Sequence, residues 1–154
     1  MRFFEADISL TSNGTIVLFH DGDEKRFGLR PGFTEEEFLA TRPYGATLLN
    51  AEGLAEFFVQ HPDAYLITDV KDDNFSVLTE LLECFIKYGL DAKKIIIPQI
   101  YNPSEFDKIR QLQFSRYIFT VYRFKKKMKQ TATFLRNNPE FCALTVPEKW
   151  VNKG

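Results

Sequence analysis

Apolar and polar side chains alternate from the second residue of the chain. Over residues 2–10, Phe4, Ala6, Ile8 and Leu10 fall on one face and Phe3, Glu5, Asp7 and Ser9 on the other, the period of two that a strand imposes. Asn13-Gly14 follows, then a second apolar run over residues 15–19. Asn-Gly is a strong hairpin signal because both central residues of that turn take positive φ. A two-residue loop there sets Ser12 opposite Thr15, Ile8 opposite Phe19 and Asp7 opposite His20. Phe4, Ala6, Ile8, Leu10, Val17 and Phe19 then form one apolar face, and Glu5, Asp7 and His20 converge on the other.

Beyond the hairpin the period changes. Residues 21–33 read as loop, with Gly22, Gly28, Pro31 and Gly32. Thr34-Glu35-Glu36-Glu37 has capping-box spacing and opens a short helix. Asn50 caps a helix over 51–60 that ends near His61-Pro62, and residues 64–70 form a strand. Asp73 or Asn74 caps the next helix, whose Leu78, Leu81, Leu82 and Phe85 make one stripe and which Gly89 ends. A strand over 94–99 precedes Asn102-Pro103-Ser104-Glu105, a cap, a proline at the first helical position and an acid three residues after the cap. Residues 116–122 form a strand, 124–137 a basic helix stopping at Asn138-Pro139, and 141–146 a last strand. Strand–helix alternation predicts a parallel α/β sheet with right-handed crossovers.

The strand ends carry the candidate chemistry. The strand over 64–70 stays apolar until Asp69 and Lys71, which share one face. In parallel barrels and open sheets, polar residues at C-terminal strand ends line the functional site. Asp69 comes level with Glu5 and Asp7 if the strands are neighbours. Three carboxylates around one point repel unless a cation is present, and oxygen-only ligation suits Mg²⁺ or Ca²⁺ rather than zinc. His20 beside them suits acid or base work near neutral pH. Lys71 suits an anion such as phosphate, and Gln99 and Arg123, at later strand ends, are further substrate contacts. His61 lies between a helix and a strand, at the opposite end from such a site.

Composition narrows the classes. With 44% hydrophobic residues over 154 positions the chain supplies one domain, 1–154, with a real core, and 16 Phe argue against disorder. No apolar run approaches the ~20 residues of a membrane span. The start lacks the basic–apolar–small pattern of a secretory signal, which points to a cytoplasmic location. Cys84 and Cys142 are too few for a disulfide framework or a zinc site and read as buried free thiols. A net charge of −1 argues against nucleic acid as a partner. The run Arg123-Phe124-Lys125-Lys126-Lys127-Met128-Lys129 reads as a solvated helix face, with anionic lipid or nucleic acid as the weaker alternative.

In their order and spacing these residues resemble the glycerophosphodiester phosphodiesterases. Glu5-Ala6-Asp7, the turn Thr11-Ser12-Asn13-Gly14 and Val17-Leu18-Phe19-His20-Asp21 are similar to that family's second strand and hairpin, with its Glu-x-Asp metal pair and following His-Asp. The family's next strand ends in Glu-x-Lys, where this chain has Asp69-Val70-Lys71. Pro98-Gln99-Ile100-Tyr101 and Thr120-Val121-Tyr122-Arg123 are similar to a bacterial subgroup of the phosphatidylinositol-phospholipase-like phosphodiesterase superfamily. The resemblance spans roughly residues 1–146.

It implies an incomplete TIM (β/α)8 barrel, about strands two to six, with a β-hairpin extension at residues 2–19. It also implies metal-dependent hydrolysis of a small-molecule glycerophosphodiester to an alcohol and a phosphomonoester. Glu5, Asp7 and Asp69 would hold the divalent cation. His20 matches the second of two proton-transferring histidines; the first belongs to a His-Arg-Gly-like motif that this chain lacks. A full barrel needs ~250 residues and eight strands. The chain is therefore expected to be truncated at both ends, impaired alone, and homo-oligomeric through its open edges or covered there by its tail. The alternative is a non-catalytic module of the same fold that binds a phosphate-bearing ligand or a protein.

Overall fold

The computed structural model describes residues 1–121 and 128–148. Its elements are β1 (Arg2–Leu10), β2 (Ile16–Leu18), α1 (Glu24–Phe27), α2 (Glu35–Ala40), α3 (Ala51–Gln60), β3 (Ala64–Val70), α4 (Asn74–Lys87), α5 (Ala92–Ile95), β4 (Ile96–Ile100), α6 (Pro103–Ile109), β5 (Tyr117–Thr120), α7 (Met128–Asn137) and β6 (Phe141–Thr145). Local chemistry sets the helix starts. Thr34 and Glu37 complete the capping box of α2. The side chains of Asn50, Asp73 and Asn102 accept from the backbone N–H groups of Gly53, Ser76 and Glu105, starting α3, α4 and α6. The strand expected from Lys94 begins at Ile96 instead. Asp91 starts a helical turn over 92–95, and its carboxylate lies 2.6 Å from Lys94 Nζ. Residues 24–27, expected as loop, wind the short α1.

The sheet order is β2-β1-β3-β4-β5-β6. All pairs are parallel except β1 with β2. The layering excludes a doubly wound sheet. Residues of α3, α4 and α6 share one core with Ile8, Leu66, Val70, Ile96, Ile100, Tyr117 and Phe119, so these helices cover a single face. Phe134 of α7 joins the same side, packing on Phe106, Phe119 and Phe141. The opposite face carries Glu5, Asp7, Asp69, Lys71, Gln99 and Thr120. One helical face and one polar strand-end face are what an arc of a (β/α) barrel presents. Among the described residues no pairing joins β2 to β6, so the barrel is not closed.

The hairpin departs from expectation. Ile8 pairs with Leu18 and Leu10 with Ile16, one residue away from the expected register. The loop has three residues: Thr11 N–H donates to Thr15 O, Gly14 N–H donates to Thr11 O, and Thr15 N–H donates to the Thr11 hydroxyl. Gly14 takes φ +81° while Asn13 stays out of the left-handed region, as in a type I turn closed by a glycine bulge. A one-residue slip moves every side chain to the other face. Val17 and Phe19 therefore leave the helix-facing core, and with Phe33 and Phe38 they build a second, smaller one on the concave side. The pattern over residues 16–19 was uninformative because all four are apolar, so either register buries hydrophobic area. The free thiols also differ from expectation: Cys84 is half-buried and Cys142 exposed, because β6 is an edge strand open to solvent.

Candidate active site at the C-terminal end of the sheet

Parallel pairing of β1 with β3 sets Asp7 level with Asp69. Glu5 lies two residues earlier on the same face. Carboxylate oxygens of Glu5, Asp7 and Asp69 all lie within 4.8 Å of one another. The ladder continues past β3, where Lys71 N–H donates to Ile8 O at 2.9 Å. This turns the Lys71 ammonium between Asp7 Oδ1, at 2.5 Å, and Asp69 Oδ2, at 2.8 Å. The Tyr101 hydroxyl, just past β4, donates to Asp69 Oδ1. Asp69 and Tyr101 are both buried, at 8% and 6% exposure.

Three carboxylates and one ammonium leave the cluster net negative. Two unit charges at 4 Å repel by about 4 kcal/mol at an effective dielectric of 20. Glu5 records that strain: partial desolvation, then the charges of Asp7 and Asp69, raise its pKa, while Lys71 and His20 pull it down. For Lys71, burial pushes the ammonium pKa down, but its hydrogen bonds to Asp69 and Asp7 outweigh this and hold it above the usual lysine value. An all-oxygen donor set of this charge fits a hard divalent cation.

The other expected residues divide. His20 does not face Asp7. In the shifted register Phe19 N–H donates to Asp7 O, and His20, one position on, is exposed with Nδ1 2.7 Å from the carbonyl of Asp21. The ring lies close enough that a positive charge on it lowers the Glu5 pKa, so it flanks the cluster. Gln99 is buried, and its Oε1 accepts from the Thr120 hydroxyl at 2.6 Å. Arg123 and most of the lysine run lie outside the described residues. His61 sits at the other end of β3, its Nδ1 3.4 Å from Arg2 and its ring against Phe57. Sequence reasoning assigned no role to Tyr101 or Thr120. The signal was available: both lie at strand ends in the same alternation as Gln99 and Asp69. Beside the cluster a cavity of about 260 Å³ is lined by Lys71, Asp72, Ser9, Ser12, Asp21 and Glu24.

This fold has known counterparts. A crystal structure of a glycerophosphoryl diester phosphodiesterase from Parabacteroides distasonis covers 92% of this chain, with 21% identity and a TM-score of 0.68. The chain shares the fold of the glycerophosphodiester phosphodiesterases. A putative phosphodiesterase of this kind from Galdieria sulphuraria covers 86% of the chain (16% identity, TM-score 0.63). One from Agrobacterium tumefaciens covers 77% (14% identity, TM-score 0.58). The chain spans about half the length of these phosphodiesterases, namely 51%, 59% and 54%. No protein-family model and no curated protein matches the sequence. The α/β architecture and the incomplete barrel expected from the resemblance are thus both present.

Proposed function

We propose that the chain belongs to a metal-dependent phosphodiester hydrolase acting on glycerophosphodiesters and releasing an alcohol and a phosphomonoester. The observation that carries this reading is the convergence of Glu5, Asp7 and Asp69 within 4.8 Å at the C-terminal rim of a phosphodiesterase-like sheet. These three residues would hold Mg²⁺ or Ca²⁺. When bound, the ion supplies Lewis-acid polarisation of a phosphoryl oxygen. Lys71, at the wall of the adjoining cavity, holds positive charge for the phosphodiester. Thr120 commits the oxygen of the Gln99 amide, which leaves the amide to act toward substrate as a donor, and Arg123 is the second cationic contact. Donation of His20 Nδ1–H to the Asp21 carbonyl leaves Nε2 basic, so His20 moves a proton at that atom.

The chain's other histidine lies at the opposite end of β3, and one proton-transfer group is worth roughly 10²–10⁴-fold in rate. This chain alone is therefore expected to turn over that much more slowly than a version carrying a second histidine at the rim. The reading takes the chain as one domain unit with a small-molecule substrate, no nucleic-acid partner and a cytoplasmic location, in keeping with its two free thiols. No helix of the described residues is long and apolar enough to cross a membrane.

The test is phosphomonoester release from glycerophosphodiesters, by this chain and by a longer version, with and without Mg²⁺ or Ca²⁺. Metal-dependent release that Glu5→Ala or Asp7→Ala abolishes supports the reading. Release unaffected by either substitution or by chelation sinks it. Calorimetry that shows divalent ion and glycerol phosphate binding without turnover, even by the longer version, selects the non-catalytic binding module instead.

A further inference from the structure

We infer that Tyr101 is a positioning residue for a divalent-ion site, fixing the carboxylate of Asp69 in the orientation from which it ligates the ion with Glu5 and Asp7. The inference rests on the metal reading above. The Asp69 carboxylate is held from both sides: the Tyr101 hydroxyl donates to Oδ1 and the Lys71 ammonium to Oδ2. An aspartate held by one donor still swings about its terminal torsion, which is broad and roughly two-fold. A second donor on the other oxygen removes that freedom.

Tyr101 is itself anchored where it needs to be. Its backbone N–H donates to Glu105 Oε2 at 2.7 Å, and Glu105 Oε1 accepts from Asn74 Nδ2 at 2.8 Å. Asn74 Nδ2 also donates to the carbonyl of Gln99 at 2.9 Å. Hydrogen bonds therefore run from the starts of α4 and α6, across the end of β4, to one carboxylate of the cluster. Nothing in core packing calls for a hydroxyl at the tip of that ring, since a phenylalanine would fill the same volume. The hydroxyl donates to Asp69, a candidate ligand. Groups that orient metal ligands in this way are worth about 10–100-fold in metal affinity.

The decisive variant is Tyr101→Phe, which deletes the hydroxyl and keeps the ring. Mg²⁺ and Ca²⁺ affinities are measured by titration calorimetry on the intact chain, alongside the melting temperature of the metal-free protein. The expected result is an ion Kd about 10–100-fold weaker, with the metal-free protein still folded and its melting temperature lowered by a few degrees, because the buried Asp69 carboxylate loses a donor. Asp69→Asn supplies the cross-check. Once that ligand is altered, adding Tyr101→Phe should weaken binding no further, because the hydroxyl acts through Asp69. In the wild type, saturating ion should also perturb the ultraviolet difference spectrum of a buried tyrosine, a readout that needs no variant to fold. The inference is overturned by a Tyr101→Phe Kd within about twofold of wild type, by equal losses in both backgrounds, or by no tyrosine perturbation at saturation. If the wild type binds neither ion, the metal reading falls and takes this inference with it. If it binds and Tyr101→Phe binds equally, only the inference falls.

Discussion

Lys71 shows how much one side chain decides at this rim. Its ammonium lies 2.5 Å from Asp7 and 2.8 Å from Asp69, and without it these carboxylates lose their shared counter-charge. Breaking a buried ion pair costs about 3–5 kcal/mol; Asp7 is partly solvated, at 29% exposure, so Lys71→Met is expected to cost about 2–3 kcal/mol in metal-free protein. Saturating Mg²⁺ or Ca²⁺ should restore much of that stability by binding only the folded state. Urea unfolding with and without the ion checks both statements. Glu5 offers a pH test of opposite sense. Its folded pKa is raised, so its contribution is fully present below the unfolded glutamate value and is lost as pH rises through the folded one. Metal-free Glu5→Gln should therefore match wild type at low pH and exceed its stability once pH passes the raised value. Unfolding curves on either side of the glutamate range show whether the crossover occurs. Glu5, Asp7, Asp69 and Lys71 were legible because each sits at a fixed parity on a strand. Tyr101 shares the parity of Gln99, which places its ring on the site face, but parity does not show that its hydroxyl reaches Asp69.

At the scale of elements, helix starts were easy and the hairpin was not. Caps at Thr34, Asn50, Asp73 and Asn102 are bonds between a side chain and a backbone N–H three residues on, so sequence spacing alone specifies them. The hairpin register is a competition between loop geometries that differ by one residue, and Asn13-Gly14 suits both. The three-residue loop prevails because it uses the Thr11 hydroxyl as an extra acceptor and lets Phe19 reach Phe27, Phe33 and Phe38, at ring centroid distances of 5.5, 5.1 and 6.0 Å. Gly14→Ala tests this loop. A Cβ there meets nothing within 4 Å, so the cost is the left-handed backbone alone, about 1–2 kcal/mol. Asn13→Ala relieves no backbone strain, because Asn13 needs no positive φ, and costs only the bond that Asn13 Oδ1 accepts from the Thr11 hydroxyl at 2.7 Å, about 1 kcal/mol; in a two-residue turn Asn13→Ala would add a left-handed penalty to that loss. Chemical denaturation of the two variants separates the loops.

The whole molecule is governed by the edges of its sheet. β6 is exposed along most of its length, with Leu144 at 43% exposure, and Phe3 at the other end of the arc is 52% exposed. Open strand edges beside apolar surface template pairing with another chain. Concentration-dependent self-association is therefore expected in sedimentation velocity, and Leu144→Lys should suppress it by placing a charge on the β6 edge. Monomeric behaviour of wild type at all concentrations would count against edge pairing.

What the sequence determined by itself was local or periodic: the order of the strands and the longer helices, the caps, the parity that puts Glu5 with Asp7 and Asp69 with Lys71, and the family resemblance those spacings carry. These follow from fixed repeats of 2.0 and 3.6 residues and from bonds spanning three or four positions. Only the tertiary structure decided which strands are neighbours in register, that α3, α4, α6 and α7 cover one face while α2 packs on the other, that the hairpin slips by one residue and moves His20 off Asp7, and that Tyr101 reaches Asp69 from 32 positions away. Each of these is a choice among arrangements with similar local energy, and packing between distant segments settles it.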